Sequence, residues 1–110
     1  MTPQVPVDLH PEAIEEAAAA RRWYAERSPP AAQAFQAELD RAVLAIGEAP
    51  SRWVHHIAGT RRFVKQRFPF SVVYFELPSS VLVLAVAHAR RRPGYWRTRL
   101  SVPPPEDADM

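Results

Sequence analysis

The residues best suited to chemistry lie close together near the end of the chain. His88 is followed by five arginines, a tyrosine and a tryptophan: Arg90, Arg91, Arg92, Tyr95, Trp96, Arg97 and Arg99. A histidine among guanidinium groups could move a proton during attack by an RNA 2′-hydroxyl, while the arginines offset charge on the phosphate. Alternatively, His88 caps backbone groups at a strand end or packs on Trp96. Tyr95 and Trp96 could stack on bases or close the core.

A second group of cations lies earlier in the chain and is interleaved with an aromatic residue: Arg61, Phe63, Lys65 and Arg67. Side chains alternate between the two faces of a strand, so this spacing puts all four on one face and Val64 and Phe68 on the other. Because Val64 and Phe68 suit a helix-covered core, we expect the cationic face to be open and to bind phosphate or an acidic protein. A solvated edge strand, protected from aggregation by its charges, is the alternative.

Composition excludes several kinds of site. The chain contains no cysteine, which rules out disulfides, thiolate nucleophiles and cysteine-ligated zinc. His10, His55 and His56 lack the spacing of metal ligands, and the three glycines form no phosphate-binding loop. We therefore expect neither a metal nor another cofactor.

Charge is divided unevenly along the chain. Lys and Arg total 14 against 12 Asp and Glu, for a formal charge of +2. Residues 1–50 carry four basic and eight acidic side chains, residues 51–100 carry ten and one, and residues 101–110 carry none and three. This asymmetry predicts an acidic or polyanionic partner for residues 51–100. All but one of the cations are arginine, which binds phosphate and carboxylate groups in a bidentate manner.

The hydrophobic pattern changes from a helical period to a strand period after residue 50. Prolines and Ser28 divide the first half into two helices, predicted over 11–27 and 29–48 and joined as a hairpin. A short first strand is predicted over 5–9 and a loop over 51–60. Three further strands follow at 61–67, 70–77 and 81–88, with connections of hairpin size.

These elements predict an α+β fold of order β-α-α-β-β-β. The run 81–88 is apolar on both faces, as in a central strand, so the first strand should pair beside it and give the sheet order 1-4-3-2. We therefore expect a helical hairpin packed on one face of a four-stranded, mostly antiparallel sheet whose other face is open. Residues 1–100 would form this single domain, and the acidic, proline-rich segment 101–110 is predicted to be disordered.

Neither a targeting signal nor a membrane anchor is visible in the sequence. The first twenty residues have no basic start and no continuous apolar run, and no segment is long enough to span a bilayer. We therefore expect a cytoplasmic protein without a membrane partner.

Several motifs occur together along most of the predicted domain. His10-Pro11-Glu12-Ala13 opens the first helix, Arg67-Phe68-Pro69-Phe70 joins two strands, and the apolar run 83–88 leads to Arg91-Arg92-Pro93-Gly94-Tyr95-Trp96. Over residues 5–99 this set resembles the RelE/ParE toxin superfamily of bacterial type II toxin–antitoxin systems. The fold that the resemblance implies is the same β-α-α-β-β-β arrangement.

The resemblance also implies a growth-inhibiting toxin, of the kind that serves plasmid stabilisation, which a cognate antitoxin neutralises in a hetero-oligomer. Two activities occur in the family: RelE-like members are mRNA interferases that cut mRNA on the ribosome, and ParE-like members inhibit DNA gyrase without being enzymes. Where the nucleases carry an arginine shortly before the Val-Tyr pair, this chain has Ser71. The favoured interpretation is therefore a gyrase inhibitor. A ribosome-dependent endoribonuclease is the alternative, and a non-toxic basic nucleic-acid-binding module is the third.

The resemblance assigns roles to the cationic residues. In a nuclease, the catalytic positions would be Lys65, Arg67, His88, Arg91 and Tyr95. The target or the antitoxin would be bound by a set that overlaps with these: Arg61, Phe63, Lys65, Arg67, Arg90, Arg92, Trp96, Arg97 and Arg99.

Overall fold

Two helices pack on a five-stranded sheet in the computed structural model, which describes residues 4–64 and 67–100. The helices are α1 (Pro11–Arg27) and α2 (Pro29–Glu48). The strands are β1 (Val7–Leu9), β2 (Val54–His55), β3 (Arg61–Val64), β4 (Phe70–Glu76) and β5 (Val81–His88). Short 3-10 helices span Pro50–Arg52, Ile57–Gly59 and Arg97–Leu100. Lys65 and the segment 101–110 lie outside the described residues.

The helical hairpin has the predicted bounds because each helix begins at a capping residue. The Nδ1 atom of His10 accepts the N–H of Glu12 at 3.1 Å and caps α1. Ser28 ends α1 with its N–H on the Tyr24 carbonyl (2.6 Å) and begins α2 with its Oγ accepting the N–H of Ala31 (3.4 Å). The predicted helices 11–27 and 29–48 are thus confirmed. No helix in the described part of the chain has the length and hydropathy that crossing a bilayer requires.

The sheet has the order β1-β5-β4-β3-β2, with β1 parallel to β5 and all other neighbours antiparallel. The antiparallel meander and the central place of β5 are confirmed. The prediction of four strands is wrong by one, because β2 lies in the segment 51–60 that the pattern predicts as a loop. A strand of two residues is too short to show a period of two, so the sequence carries no signal for it.

The two faces of β3 are the reverse of the prediction. Phe63 is only 6% exposed and packs edge-on against Trp53, with ring centroids 4.6 Å apart, whereas Val64 is 49% exposed. Phe68 still reaches the helix-covered core, because it follows a bend outside the strand and contacts the rings of Tyr24 and Phe35. The described part of the strand covers Arg61–Val64, and Arg67 and Phe68 lie in a bend, so the predicted alternation does not hold at Phe68.

The second face of the sheet is covered, which corrects the prediction of an open face. Trp96 is 1% exposed and packs with Val73, Leu84 and Ala85. Gly94 has a φ of 81°, which turns the chain back toward the sheet at a place where any other side chain would be strained. The Trp96 ring therefore closes a second core and is not available to a partner.

Candidate functional site

A groove of about 690 Å³ lies between α1 and the C-terminal end of β5. Ala19, Ala20 and Tyr24 line it from the helix, and Phe70 and Val86 line it from the sheet. The two alanines leave the groove open because their side chains end at Cβ. The floor is therefore apolar, with an aromatic ring on each side.

The wall formed by Tyr24 is held in place by other rings. Its centroid lies 5.6 Å from that of Phe35 and 5.1 Å from that of Phe68, which are distances typical of favourable aromatic pairs. Burial raises the pKa of the Tyr24 hydroxyl, so the group remains neutral well above physiological pH.

The rim of the groove is cationic. Arg90 and Arg91 are exposed residues of the lining, and Arg92 is exposed immediately after them. None of the three forms an ion pair with a carboxylate of a described residue. The guanidinium carbon of Arg91 lies 3.7 Å from the centre of the Tyr95 ring, which orients the charge without neutralising it. These arginines are free to meet an anionic partner.

His88 lies in the groove and uses one ring nitrogen to cap the chain. Its Nδ1 atom accepts the backbone N–H of Arg90 at 3.0 Å, and its ring meets the edge of Phe70 at a centroid distance of 4.9 Å. Because Nδ1 is an acceptor, the neutral ring carries its proton on Nε2. The geometry matches the capping alternative from the sequence. Trp96, the other suggested partner, packs near His56 instead, with ring centroids 5.8 Å apart.

Glu16 joins α1, β5 and the C-terminal segment at the end of the groove. Its Oε1 accepts the N–H of Val86 at 2.9 Å, and its Oε2 accepts the Tyr95 hydroxyl at 2.6 Å and a guanidinium N–H of Arg99 at 2.9 Å. Arg99 also donates to the Leu84 carbonyl at 2.9 Å. Since β1 pairs with β5 only as far as Val83, these side chains satisfy the strand edge that β1 leaves open.

The hydrogen bonds of Glu16 engage two residues that the sequence predicted as binding or catalytic groups, Tyr95 and Arg99. Burial, followed by the hydrogen bond to Glu16, raises the pKa of Tyr95, so its hydroxyl keeps its proton. The side chain of Arg99 is 13% exposed and its charge is matched by Glu16. Tyr95 and Arg99 therefore stabilise the fold around the groove.

The other predicted residues are spread over the molecule. Arg61 is held at the far side of the sheet, where it donates to Glu76 at 2.7 Å and to the Trp53 carbonyl at 2.7 Å. Hydrogen bonds from Arg61 and Ser51 lower the pKa of Glu76.

Phe63 and Trp96 are core residues. Arg67 and Arg97 are exposed but do not line the groove. The structure thus brings together four predicted residues: His88, Arg90, Arg91 and Tyr95.

Two functional candidates were not visible in the sequence pattern. Trp23 belongs to an apolar helical stripe in sequence, yet it is 52% exposed at the groove, with the guanidinium carbon of Arg27 3.8 Å from its ring centre. The spacing of Trp23 and Arg27, one helical turn apart, is the signal that could have revealed a solvent-facing pair. Glu16 gives no such signal, because its partners are up to 83 residues away.

The arrangement is suited to binding rather than to proton transfer. An apolar floor, a half-exposed tryptophan and unpaired arginines match a partner that presents both apolar and acidic side chains. No group of three or more His, Cys, Asp or Glu side chains in residues 4–64 and 67–100 could hold a metal ion.

Comparisons with known proteins agree with this fold. The family model described as "ParE toxin of type II toxin-antitoxin system, parDE" matches residues 7–93. A solved structure described as "Chromosomal ParDE TA system from P. aeruginosa" is similar in fold, with a TM-score of 0.69 and 16% identity over 79% of this chain and 98% of that chain. None of the curated proteins matches the chain. Since the family model spans most of the described domain, the chain belongs to the ParE toxin family of the type II toxin–antitoxin systems.

Proposed function

We propose that this protein inhibits growth by binding DNA gyrase in the cytoplasm and that a cognate antitoxin neutralises it by forming a hetero-oligomer. The observation that carries the proposal is the match of residues 7–93 to the ParE family, whose members act with an antitoxin. The solved relative is likewise described as part of a ParDE toxin–antitoxin system.

The condition of the candidate nuclease residues supports binding over cleavage. Ser71 stands where the RelE-like nucleases carry an arginine, and it pairs with Ala87 inside the sheet. The Nδ1 atom of His88 is occupied by a backbone N–H, and the Tyr95 hydroxyl donates to Glu16. Two of the groups that could transfer a proton, Nδ1 of His88 and the Tyr95 hydroxyl, are therefore engaged within the fold.

The chemistry of the groove supports a protein partner. Exposed tryptophan and arginine are the residue types that contribute most at protein interfaces, and Trp23, Arg90 and Arg91 lie around one apolar floor. An acidic, amphipathic segment of the antitoxin would complement this surface. Such a complex would form quickly and in a salt-sensitive manner, because complementary charge mainly raises the association rate.

A supercoiling assay tests the proposed target. Relaxed plasmid, ATP and purified gyrase are titrated with the protein, and we expect supercoiling to stop as the protein reaches excess over gyrase. Relaxation by a type I topoisomerase is the control and should continue unchanged. Normal supercoiling at saturating protein would count heavily against gyrase as the target.

Primer extension on ribosome-bound mRNA tests the alternative. We expect no new 5′ ends in the presence of the protein. New ends that disappear in the His88→Ala variant would instead support an endoribonuclease. An absence of toxicity, together with a steep fall of nucleic-acid affinity as salt rises, would support the non-toxic basic nucleic-acid-binding module.

A further inference from the structure

We propose that the acidic segment 101–110 of this chain binds in the groove between α1 and β5 and shields its arginines from outside partners. The sequence of that segment is Ser-Val-Pro-Pro-Pro-Glu-Asp-Ala-Asp-Met. The proposal goes beyond toxin action and does not depend on gyrase being the target.

The described chain ends beside the groove. Leu100 is half-buried and packs against the second core, while the preceding residue, Arg99, binds Glu16 in the groove wall at 2.9 Å. The guanidinium carbons of Arg99 and Arg91 lie 5.2 and 3.7 Å from the centre of the same Tyr95 ring. Ten further residues can extend by up to about 33 Å, so the rim arginines are within reach of the segment.

The charges of the segment and the groove are complementary. Glu106, Asp107 and Asp109 are acidic, and the segment contains no basic residue. Arg90 and Arg91 have no carboxylate partner among the described residues. Among the described residues that line the groove, Glu16 is the one carboxylate, and it is already engaged by Arg99 and Tyr95.

The apolar parts are complementary as well. Pro103, Pro104 and Pro105 precede the acidic residues, and proline-rich segments bind in grooves lined by aromatic rings. The groove presents Trp23 on α1 together with the rings of Tyr24 and Phe70. The segment therefore contains both kinds of side chain that the groove could bind, prolines for the aromatic rings and carboxylates for the arginines.

The segment lies outside the part of the chain that the family model matches. The family model ends at residue 93. The structural match to the P. aeruginosa relative includes 98% of that chain and 79% of this chain. Because the segment is attached to the domain, it competes with outside partners at a high effective concentration. It would therefore lower the apparent affinity of any acidic partner for the groove.

Paramagnetic labelling of the full chain tests this contact. The chain contains no cysteine, so Ala108→Cys gives a single attachment point for a nitroxide. We expect strong NMR broadening of the Trp23 indole N–H and the backbone N–H of Arg91, with none at His55 on the far edge. The same label in an E106Q/D107N/D109N background should give little broadening. Broadening that is absent, that lies elsewhere, or that survives this neutralisation would overturn the proposal.

Matched arginine variants locate the charge that holds the segment. In the labelled chain, Arg90→Gln/Arg91→Gln should abolish the broadening at Trp23, whereas Arg21→Gln/Arg22→Gln on the exposed side of α1 should leave it unchanged. Equal effects of the two pairs would contradict docking at the rim. A mixed sample of spin-labelled chains and unlabelled, isotopically enriched chains tests whether the contact is intramolecular. Broadening of the enriched chains would show that the segment binds a second molecule and would overturn the proposal.

A peptide titration measures the shielding. A synthetic peptide of residues 101–110 should bind the E106Q/D107N/D109N chain about fivefold more tightly than it binds the natural chain, since the natural segment occupies the groove most of the time. Equal affinities would overturn the proposal, because an empty groove leaves nothing to compete with the peptide. None of these experiments uses gyrase, so their outcomes are independent of the proposed target.

Discussion

Two sets of arginines in residues 51–100 have opposite surroundings. Arg61 and Arg99 are largely buried and paired with Glu76 and Glu16 at 2.7 and 2.9 Å. Arg90 and Arg91 are exposed and have no carboxylate partner in the described part of the chain. The first set stabilises the fold, and the second set offers charge to a partner. Clustering in the sequence therefore overstates how much cationic surface is available for binding.

The largest expected effect is the loss of the carboxylate that organises the paired set. Glu16→Ala removes the acceptor of Val86, Tyr95 and Arg99 and leaves a mostly buried guanidinium unpaired. We expect the free energy of unfolding to fall by about 3–5 kcal/mol, measured by urea denaturation. Glu15→Ala is the matched control, since its side chain is 72% exposed. Similar losses for both variants would contradict the assigned role of Glu16.

The next effect concerns the aromatic residue beside the unpaired arginines. Trp23→Ala removes a half-exposed ring, so we expect partner affinity to fall by about 2 kcal/mol, or roughly thirtyfold. The free energy of unfolding should change much less than it does in Trp96→Ala, whose ring is fully buried. Calorimetric titration with the antitoxin and urea denaturation measure the two quantities. Unchanged affinity would exclude Trp23 from the interface.

A smaller effect is expected at the other ion pair, where pH is an additional test. The lowered pKa of Glu76 means that its charged form stabilises the folded state above the ordinary pKa of 4.5 and that this contribution is lost as pH falls below it. Arg61→Met should cost about 1 kcal/mol at neutral pH, because Glu76 is partly exposed. Urea denaturation should also show that the free energy of unfolding decreases less with falling pH in the variant than in the natural chain. An identical acid profile would mean that the pair contributes nothing.

The smallest effect on stability is expected for the unpaired set. Arg90→Gln/Arg91→Gln should change the free energy of unfolding by less than about 0.5 kcal/mol, because no intramolecular ion pair is lost. Stopped-flow mixing with the antitoxin should nevertheless show slower association and a weaker dependence on salt. A large loss of stability in this variant would contradict the conclusion that only the paired arginines stabilise the fold.

Most of the fold could be predicted from the sequence because its helices and strands are marked by local sequence signals. Ser28 and the prolines mark both helix starts, and the apolar run 81–88 marks the central strand. The errors occur where local signals are weak. β2 has only two residues, and β3 has an apolar residue in each register, so its alternation does not decide whether Phe63 or Val64 faces the core.

The site could be predicted only in part because several of its contacting residues are distant from one another in the sequence. His88, Arg90, Arg91 and Tyr95 lie within one segment of the sequence, and the structure brings them to one groove. The pairing of Arg99 with Glu16 spans 83 residues and depends on how α1 packs on β5, which no local pattern encodes. The same packing exposes Trp23 at the groove.

The most direct measurement compares three full-length chains in the gyrase supercoiling assay. The chains are the natural protein, Arg90→Gln/Arg91→Gln, and the control Arg21→Gln/Arg22→Gln. We expect the natural and control chains to inhibit supercoiling at similar concentrations and the groove variant to require at least about tenfold more protein. Equal inhibition by all three chains, or no inhibition by any of them at saturation, would contradict the account that the unpaired arginines bind the target.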